Sequence, residues 1–331
     1  MKKIITGAFS LLFIIAGTVQ VSAQRDKEKF EFNKNKNISK SYTASGNKLS
    51  IDNTFGDVRF IAWDKNEIKV DVKIETGANK EDLAQDILDA ISVTDKQQGN
   101  EISFKTKVEN RKNHCKDCRS TMHIDFEVHL PVSVPLDVSN SFGKIDLPDY
   151  SGALSVSNKF GDLTAGSLSN IKDIGVEFGS ATIKNLANIE ATFKFSKIDI
   201  GNLSGKNKIK LEFCDVTKIS LDNGLQSLDL HESYSTVNIK PGGLSASYNI
   251  STSFGSVVDR SNIGIKRTDT PDRYGPDSDR TYEGKSGTGS ARIEIKSSFG
   301  KIIVGEPTED DLKDSKDKTK NRDRSRSRQV I

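Results

Sequence analysis

The chain has 331 residues, 29% charged and 34% hydrophobic, with 49 Lys and Arg against 46 Asp and Glu for a net charge of +3, and one Trp. Near-neutral charge gives no electrostatic case for a nucleic-acid partner, and so thin an apolar content suits a fold that leaves much of its surface in water. Past the first two dozen residues no apolar run is long enough to span a bilayer.

The N-terminus reads as a signal peptide over residues 1–23. Met1, Lys2 and Lys3 form a basic start, Ile4 to Ala16 an apolar run, and Val21, Ser22 and Ala23 a small-residue cleavage site before Gln24. The expected location is therefore exported, either periplasmic or extracellular at the cell surface. Residues 24–46 are polar and rich in Lys and Asn, a linker.

Residues 47–130 read as a β-rich cap. Ile68, Val70, Val72 and Ile74 alternate, and further strands are expected around Ile102–Phe104 and Ile124–Val128. A helix near 80–91 is expected from Asn79 as N-cap and from Leu83, Ile87, Leu88 and Ile91 on one face. Such a cap would cover the open end of a repetitive body.

The body, residues 131–304, is periodic. An aromatic returns at Phe55, Phe142, Phe160, Phe178, Phe195, Phe213, Tyr234, Phe254 and Phe299, with steps of 18, 18, 17 and 18 residues from Phe142 to Phe213. Four residues before it stand Ile51, Val138, Val156, Ile174, Ala191, Ile209, Leu230, Ile250 and Ile295. Three residues after it stand Val58, Ile145, Leu163, Ala181, Ile198, Val216, Val237, Val257 and Ile302. The aromatic shares a strand face with position −4, whereas +3 has the opposite parity, so a bend must separate them if all face one core. Gly56, Gly143, Gly161, Gly179, Gly255 and Gly300 follow the aromatic and are the expected bend, with Ser196, Cys214 and Ser235 as exceptions. The period is that of a β-solenoid, single-stranded β-helix-like, with coils of ~18 residues reading strand, glycine corner, strand, loop and burying Val, Ile and Phe-sized side chains. At position −2, Asn53, Asn140 and Asn158 are read either as an inward amide ladder or as residues suited to a turn. Residues 266–290, which include Tyr274 and Tyr282, lose the pattern and read as a loop insertion, and 305–331 as a disordered charged tail.

Two sets of residues are candidates for chemistry. His114, Cys115, Cys118 and His123 offer imidazoles and thiols within ten residues, open to a small disulfide, free thiols, a metal site or redox chemistry. Outward positions +2 and +4 carry Lys144, Asp146, Asp162, Lys197 and Asp199, among threonines, as a charge-compensated ladder. These five form the expected binding face for a cell-envelope or extracellular polymer or protein. No catalytic constellation, cofactor motif or two-knuckle metal site is evident, so an enzyme is not expected. A polysaccharide-active enzyme, built from paired carboxylates on an outer face, is the minor alternative.

The segments Ile51-Asp-Asn-Thr-Phe-Gly-Asp-Val58, Trp63-Asp-Lys-Asn-Glu-Ile-Lys-Val70 and Val138-Ser-Asn-Ser-Phe-Gly-Lys-Ile145 resemble a bacterial β-strand-repeat domain of unknown function, of a kind met in Bacteroidetes, that bears an adhesin name. They are also similar to the head domains of auto-transporter adhesins. The resemblance covers most of residues 48–304 and implies a β-solenoid with a non-catalytic, adhesin-like or scaffold role. A periplasmic part in envelope stress or envelope homeostasis is the alternative it leaves.

Overall fold

The computed structural model describes residues 30–109, 117–270 and 277–312, so the expected signal peptide lies outside the described residues. Among these residues the chain forms 23 strands, all joined in one hydrogen-bonded sheet, and two short helices. The first part holds β1 (Phe32–Thr43), β2 (Lys48–Thr54), β3 (Val58–Ala62), β4 (Glu67–Ala78), α1 (Glu81–Ala90), β5 (Ile91–Gln98), β6 (Glu101–Val108) and β7 (Ser120–Leu130). Next come β8 (Leu136–Ser141), β9 (Ile145–Leu147), β10 (Leu154–Lys159), β11 (Asp162–Leu168), β12 (Ile171–Glu177), β13 (Ser180–Ala187), β14 (Glu190–Lys194), β15 (Lys197–Glu212), β16 (Val216–Ser233) and β17 (Thr236–Lys240). The last part holds β18 (Ala246–Ser253), β19 (Ser256–Arg260), β20 (Lys266–Arg267), β21 (Asp279–Ser286), β22 (Ala291–Ser298), β23 (Lys301–Gly305) and α2 (Glu309–Leu312).

The strands stack as two ladders of parallel rungs. The strand before each aromatic pairs with its equivalent in the order β6, β2, β8, β10, β12, β14, β15, β16, β22, β18. The strand after it pairs in the order β7, β3, β9, β11, β13, β15, β16, β17, β23, β19. β15 and β16 serve both ladders because each runs on from one repeat into the next. All nine residues at −4 are buried, and they join the inward residues of the second ladder in one apolar cluster. At ~1.5–3 kcal/mol per fully buried aliphatic side chain, these inward columns together are the main stabilising element of each rung.

Rung order departs from chain order twice: β6 and β7 stack outside β2 and β3, which precede them in the chain, and the last repeat is threaded between two earlier ones. The last repeat, β22 and β23, lies between the rung of Tyr234 and the rung of Phe254, pairing in parallel with β16 and β17 on one side and β18 and β19 on the other.

The corner corrects the sequence expectation in two ways. The bend is made by the aromatic itself, with φ between +49° and +68° at all nine positions, and not by the glycine after it. In addition, the ring points outward, away from the core expected for it. A left-handed residue costs about 1–2 kcal/mol in a non-glycine, and the ladder holds it in place: the Phe142 amide donates to the Lys159 carbonyl at 2.9 Å, Phe160 to Glu177 at 2.9 Å and Phe195 to Glu212 at 2.9 Å. The glycine is needed for proximity. A Cβ at Gly161 would lie 1.8 Å from the Gly143 carbonyl oxygen, and one at Gly143 would lie 1.8 Å from that of Gly56. Where the corner holds Ser196, Cys214 or Ser235, the side chain is buried and satisfied locally, as by Ser196 Oγ donating to the Lys194 carbonyl at 2.7 Å. Two +3 residues are half-buried: Val257 lies in the outermost rung, and at Val216 it is Thr217 that takes the inward place, because Thr217 pairs with Val237 and the repeat carries one extra residue after its corner.

The Asn column is a ladder for two of its three members. Asn53 Nδ2 donates to Asn140 Oδ1 at 3.1 Å, and Asn140 Nδ2 donates to the Gly56 carbonyl at 3.0 Å. Both amide atoms of Asn158, the next in line, are buried without a partner.

The ends differ from their expected form. The polar segment expected as a linker contains β1, which pairs antiparallel with β4 along its length. α1 starts at Glu81 with Lys80 at the N-cap, and Asn79 instead donates to the Asp117 carbonyl at 2.9 Å and accepts from the Arg119 amide at 3.1 Å. α1 buries Leu83, Ala84, Ile87 and Ala90. The segment expected as a loop at 266–290 contains β21, which lies antiparallel on β18 and covers the edge of the outermost rung. The start of the expected tail folds back as α2, whose Asp311 accepts from Arg260 Nε at 3.1 Å and Lys301 Nζ at 3.3 Å. The rest of that tail lies outside the described residues.

Candidate functional site

The outward rings form a continuous exposed strip. In spatial order they run Phe55, Phe142, Phe160, Phe178, Phe195, Phe213, Tyr234, Phe299, Phe254. From Phe142 to Phe254 adjacent centroids are 4.7–5.1 Å apart and ring planes 2–5° from parallel. This is the strand spacing carried to the side chains. Each stacked pair contributes about 0.5–1.5 kcal/mol beyond area burial, which offsets the left-handed backbone beneath it.

Eight of the rings are 43–59% exposed. At ~150–250 Å² per aromatic side chain, they present roughly 600–1,000 Å² of apolar surface, beyond the few hundred Å² usual on a monomer. The stacking decides what that surface can hold. Ring faces are covered by neighbouring rings, so a ligand meets ring edges, and flat packing of a sugar on an open aromatic face is unavailable along the strip.

The residue just before each aromatic flanks the strip and alternates in charge through its middle. Lys159 Nζ lies 3.3 Å from Glu177, and Lys194 Nζ lies 3.0 Å from Glu212. The Glu212 carboxyl is held below the usual carboxylate range by its hydrogen bonds from Lys210 and then Lys194.

The five residues expected to form a binding face lie on the outer side of the second ladder, beyond the strip. Lys144, Asp146, Lys197 and Asp199 are exposed and Asp162 is half-buried. They do not converge: Ser180 and Thr182 stand between Asp162 and the rung of Lys197 and Asp199. Asp162 accepts from Ser180 Oγ at 2.7 Å, and the Lys144 amide donates to Asp57 Oδ1 at 2.7 Å.

Of the His and Cys set, His114 and Cys115 lie outside the described residues. Cys118 is disulfide-bonded, which removes a thiolate ligand, and His123 is on β7 at 3.4 Å from Thr121 Oγ1. Among the described residues no group of three or more His, Cys, Asp or Glu is arranged to hold a metal ion. Cys214 is a free thiol buried in its corner, and burial raises its pKa.

Two features escaped the sequence reading. The outward strip had a signal: the −4 column mixes Ile, Val, Leu and Ala, as a core does, whereas the corner column admits only aromatic rings. The second feature is Glu232, buried at position −2. It accepts from Ser297 Oγ of the inserted rung and from the Ser235 amide at 3.1 Å, and burial pushes its pKa up to about 7 against those hydrogen bonds. Its place at −2, shared with the buried Asn53, Asn140, Val176, Phe193 and Leu211, is the signal that gives this Glu inward parity, unlike Glu177 and Glu212 at −1.

No protein-family model and no curated protein matches the sequence. Solved structures similar to the chain include a "putative adhesin" from Bacteroides fragilis, 13% identical with a TM-score of 0.38 over 81% of this chain and 97% of that one. A "putative lipid binding protein" from Parabacteroides distasonis is 10% identical with a TM-score of 0.35 over 82% of this chain and 97% of that one. A "putative cell adhesion protein" from Clostridium sporogenes is 13% identical with a TM-score of 0.25 over 83% of this chain and all of that one. The resemblance drawn from the Phe-Gly segments is thus met by structures that bear adhesin names. At such scores these likenesses carry no argument about function, which rests on the geometry of the chain itself. Among the described residues no helix is long and apolar enough to cross a membrane.

Proposed function

We propose that the chain is an exported, non-catalytic β-solenoid that works as an adhesin-like surface module, making contact through its aromatic strip and the charged columns beside it. The observation that carries this reading is the strip of eight half-exposed rings on a regular two-ladder scaffold. A strip of this size that serves only internal stacking leaves its outer edges in water at a cost, and exposed apolar patches larger than a few hundred Å² mark interaction surfaces. The solenoid reading is supported by the parallel register of both ladders and by a left-handed corner in every repeat. Export is supported by the residues of the first segment, and Lys144, Asp146, Asp162, Lys197 and Asp199 belong to the proposed face as its polar margin.

Protease treatment of intact against lysed cells tests the reading, combined with binding of the purified chain and of F178N/F195N to cell envelopes. Digestion on intact cells and envelope binding that the double variant loses are the expected results. Protection until lysis favours the periplasmic envelope role, and binding indifferent to the double variant removes the strip from the function.

A further inference from the structure

We propose that the partner of the aromatic strip is a second copy of this chain, docked strip to strip and antiparallel about a two-fold axis passing between Phe178 and Phe195. The proposal rests on the reading of the strip as the contact surface and names its occupant.

Three observations carry it. The strip is regular, with adjacent rings 4.7–5.1 Å apart and 2–5° from parallel from Phe142 to Phe254, and a ridge of ring edges fits best against another of the same pitch. Its exposed area, roughly 600–1,000 Å² per copy, matches the ~800 Å² per partner of a standard stable interface. The flanking column is complementary to its own reversal. Down the strip it reads Thr54, Ser141, Lys159, Glu177, Lys194, Glu212, Ser233, Ser298. Reversal about the midpoint sets Lys159 against Glu212 of the partner subunit, Glu177 against Lys194 of the partner subunit, and the small hydroxyl residues against one another.

The alternatives meet specific obstacles. A two-fold axis along the stack sets Lys194 against Lys197 of the partner subunit and Glu212 against Asp215 of the partner subunit, two repulsive pairs against the one attractive pair of Lys159 with Asp162 of the partner subunit. In the antiparallel arrangement the column after the aromatic brings Asp162 to Asp215 of the partner subunit, balanced by Asp57 against Lys301 of the partner subunit. An anionic lipid surface calls for basic residues along the rings, whereas the four charges in the flanking column sum to zero. The closing segment from residue 313 is too charged to cover an apolar strip. Exposed ion pairs of this kind set register and exclude wrong partners, while the ring edges supply affinity. A closed isologous dimer follows from the two-fold.

Sedimentation of the purified chain in a concentration series reaching about 100 µM is expected to show a monomer–dimer equilibrium, with F178N/F195N raising the dissociation constant tenfold or more. Asn tolerates the left-handed backbone at both sites, and circular dichroism checks the fold. E177K is expected to weaken the dimer and E177K/K194E to restore it. Mixing S141C chains with S233C chains is expected to give a mixed disulfide, since the reversal sets these positions face to face. A monomer throughout the series overturns the proposal, as does disulfide formation by S141C with itself or capture of a monomeric chain on phosphatidylcholine vesicles. If the chain stays monomeric while F178N/F195N still loses envelope binding, self-pairing falls and the surface-module reading stands. Dimers that bind no envelope support the pairing and remove the adhesin-like role.

Discussion

The middle of the molecule and its C-terminal seam use the same rung and hold it by different means. From Phe142 to Phe178 chain order is spatial order, each corner glycine sits against the carbonyl of the one before, and the position two before the aromatic is Asn or aliphatic. At the seam the last repeat is threaded between two earlier ones, and the equivalent column is Glu232, Ser297 and Thr252, all buried. Gly300 there is required by a side chain, since a Cβ would lie 1.8 Å from Glu232 Oε1. The contrast shows that the periodic pattern specifies what a rung is and leaves open which rung lies beside which. Parallel rungs with the same inward residues are interchangeable in backbone terms, so order at the seam falls to the few polar groups that are not.

The sharpest break of this comparison is at the corners. Gly161→Ala places a Cβ 1.8 Å from the Gly143 carbonyl, while Gly255→Ala in the outermost rung places one 3.0 Å from that of Gly300. Backbone cannot yield as a flexible side chain does, so the first is expected to cost roughly 3 kcal/mol or more and the second about 1 kcal/mol or less, read by urea unfolding.

The next effect belongs to the seam. Glu232 has its folded pKa raised to about 7 from 4.5 by burial, so the folded chain holds a proton that the unfolded chain releases between those values. Its contribution is therefore most favourable below pH 4.5 and is lost as the pH rises through about 7, by roughly 3 kcal/mol in all. Glu232→Gln is expected to be the more stable protein at pH 8, with the difference vanishing near pH 4, in unfolding curves taken across that range. No dependence of the difference on pH would mean that Glu232 stays charged in the folded chain.

The smallest effect compares a ring in the middle of the strip with one at its end. Phe178→Asn loses two stacked neighbours and Phe254→Asn loses one. Each lost pair is worth about 0.5–1.5 kcal/mol, partly returned because Asn relieves the left-handed strain. The strain relief is common to both sites, so thermal unfolding is expected to place Phe178→Asn below Phe254→Asn by the one extra pair, about 0.5–1.5 kcal/mol.

Much of the rung was legible because burial by alternation is a local property. The −4 column is buried at all nine positions. The aromatic misled because alternation carries a residue inward only while the backbone stays extended, and one left-handed residue reverses its own side chain. The outward placing of Lys144, Asp146, Lys197 and Asp199 was legible, with Asp162 half-buried, and the strip was not, although the column that forms it uses rings alone. Thr217 could not be placed from spacing, since a single extra residue after Phe213 shifts the inward parity by one.

By itself the sequence determined the all-β character, the period and the aliphatic columns, because those follow from side-chain alternation and turn chemistry within about 18 residues. Only the tertiary structure decided that the rings face outward as one strip, that the last repeat enters between two others, and against which residues Glu232 is buried. These depend on contacts between residues dozens of positions apart, such as Glu232 with Ser297 and Tyr234 with Phe299. A repetitive sequence offers many near-equivalent pairings at that distance, and packing energy selects among them.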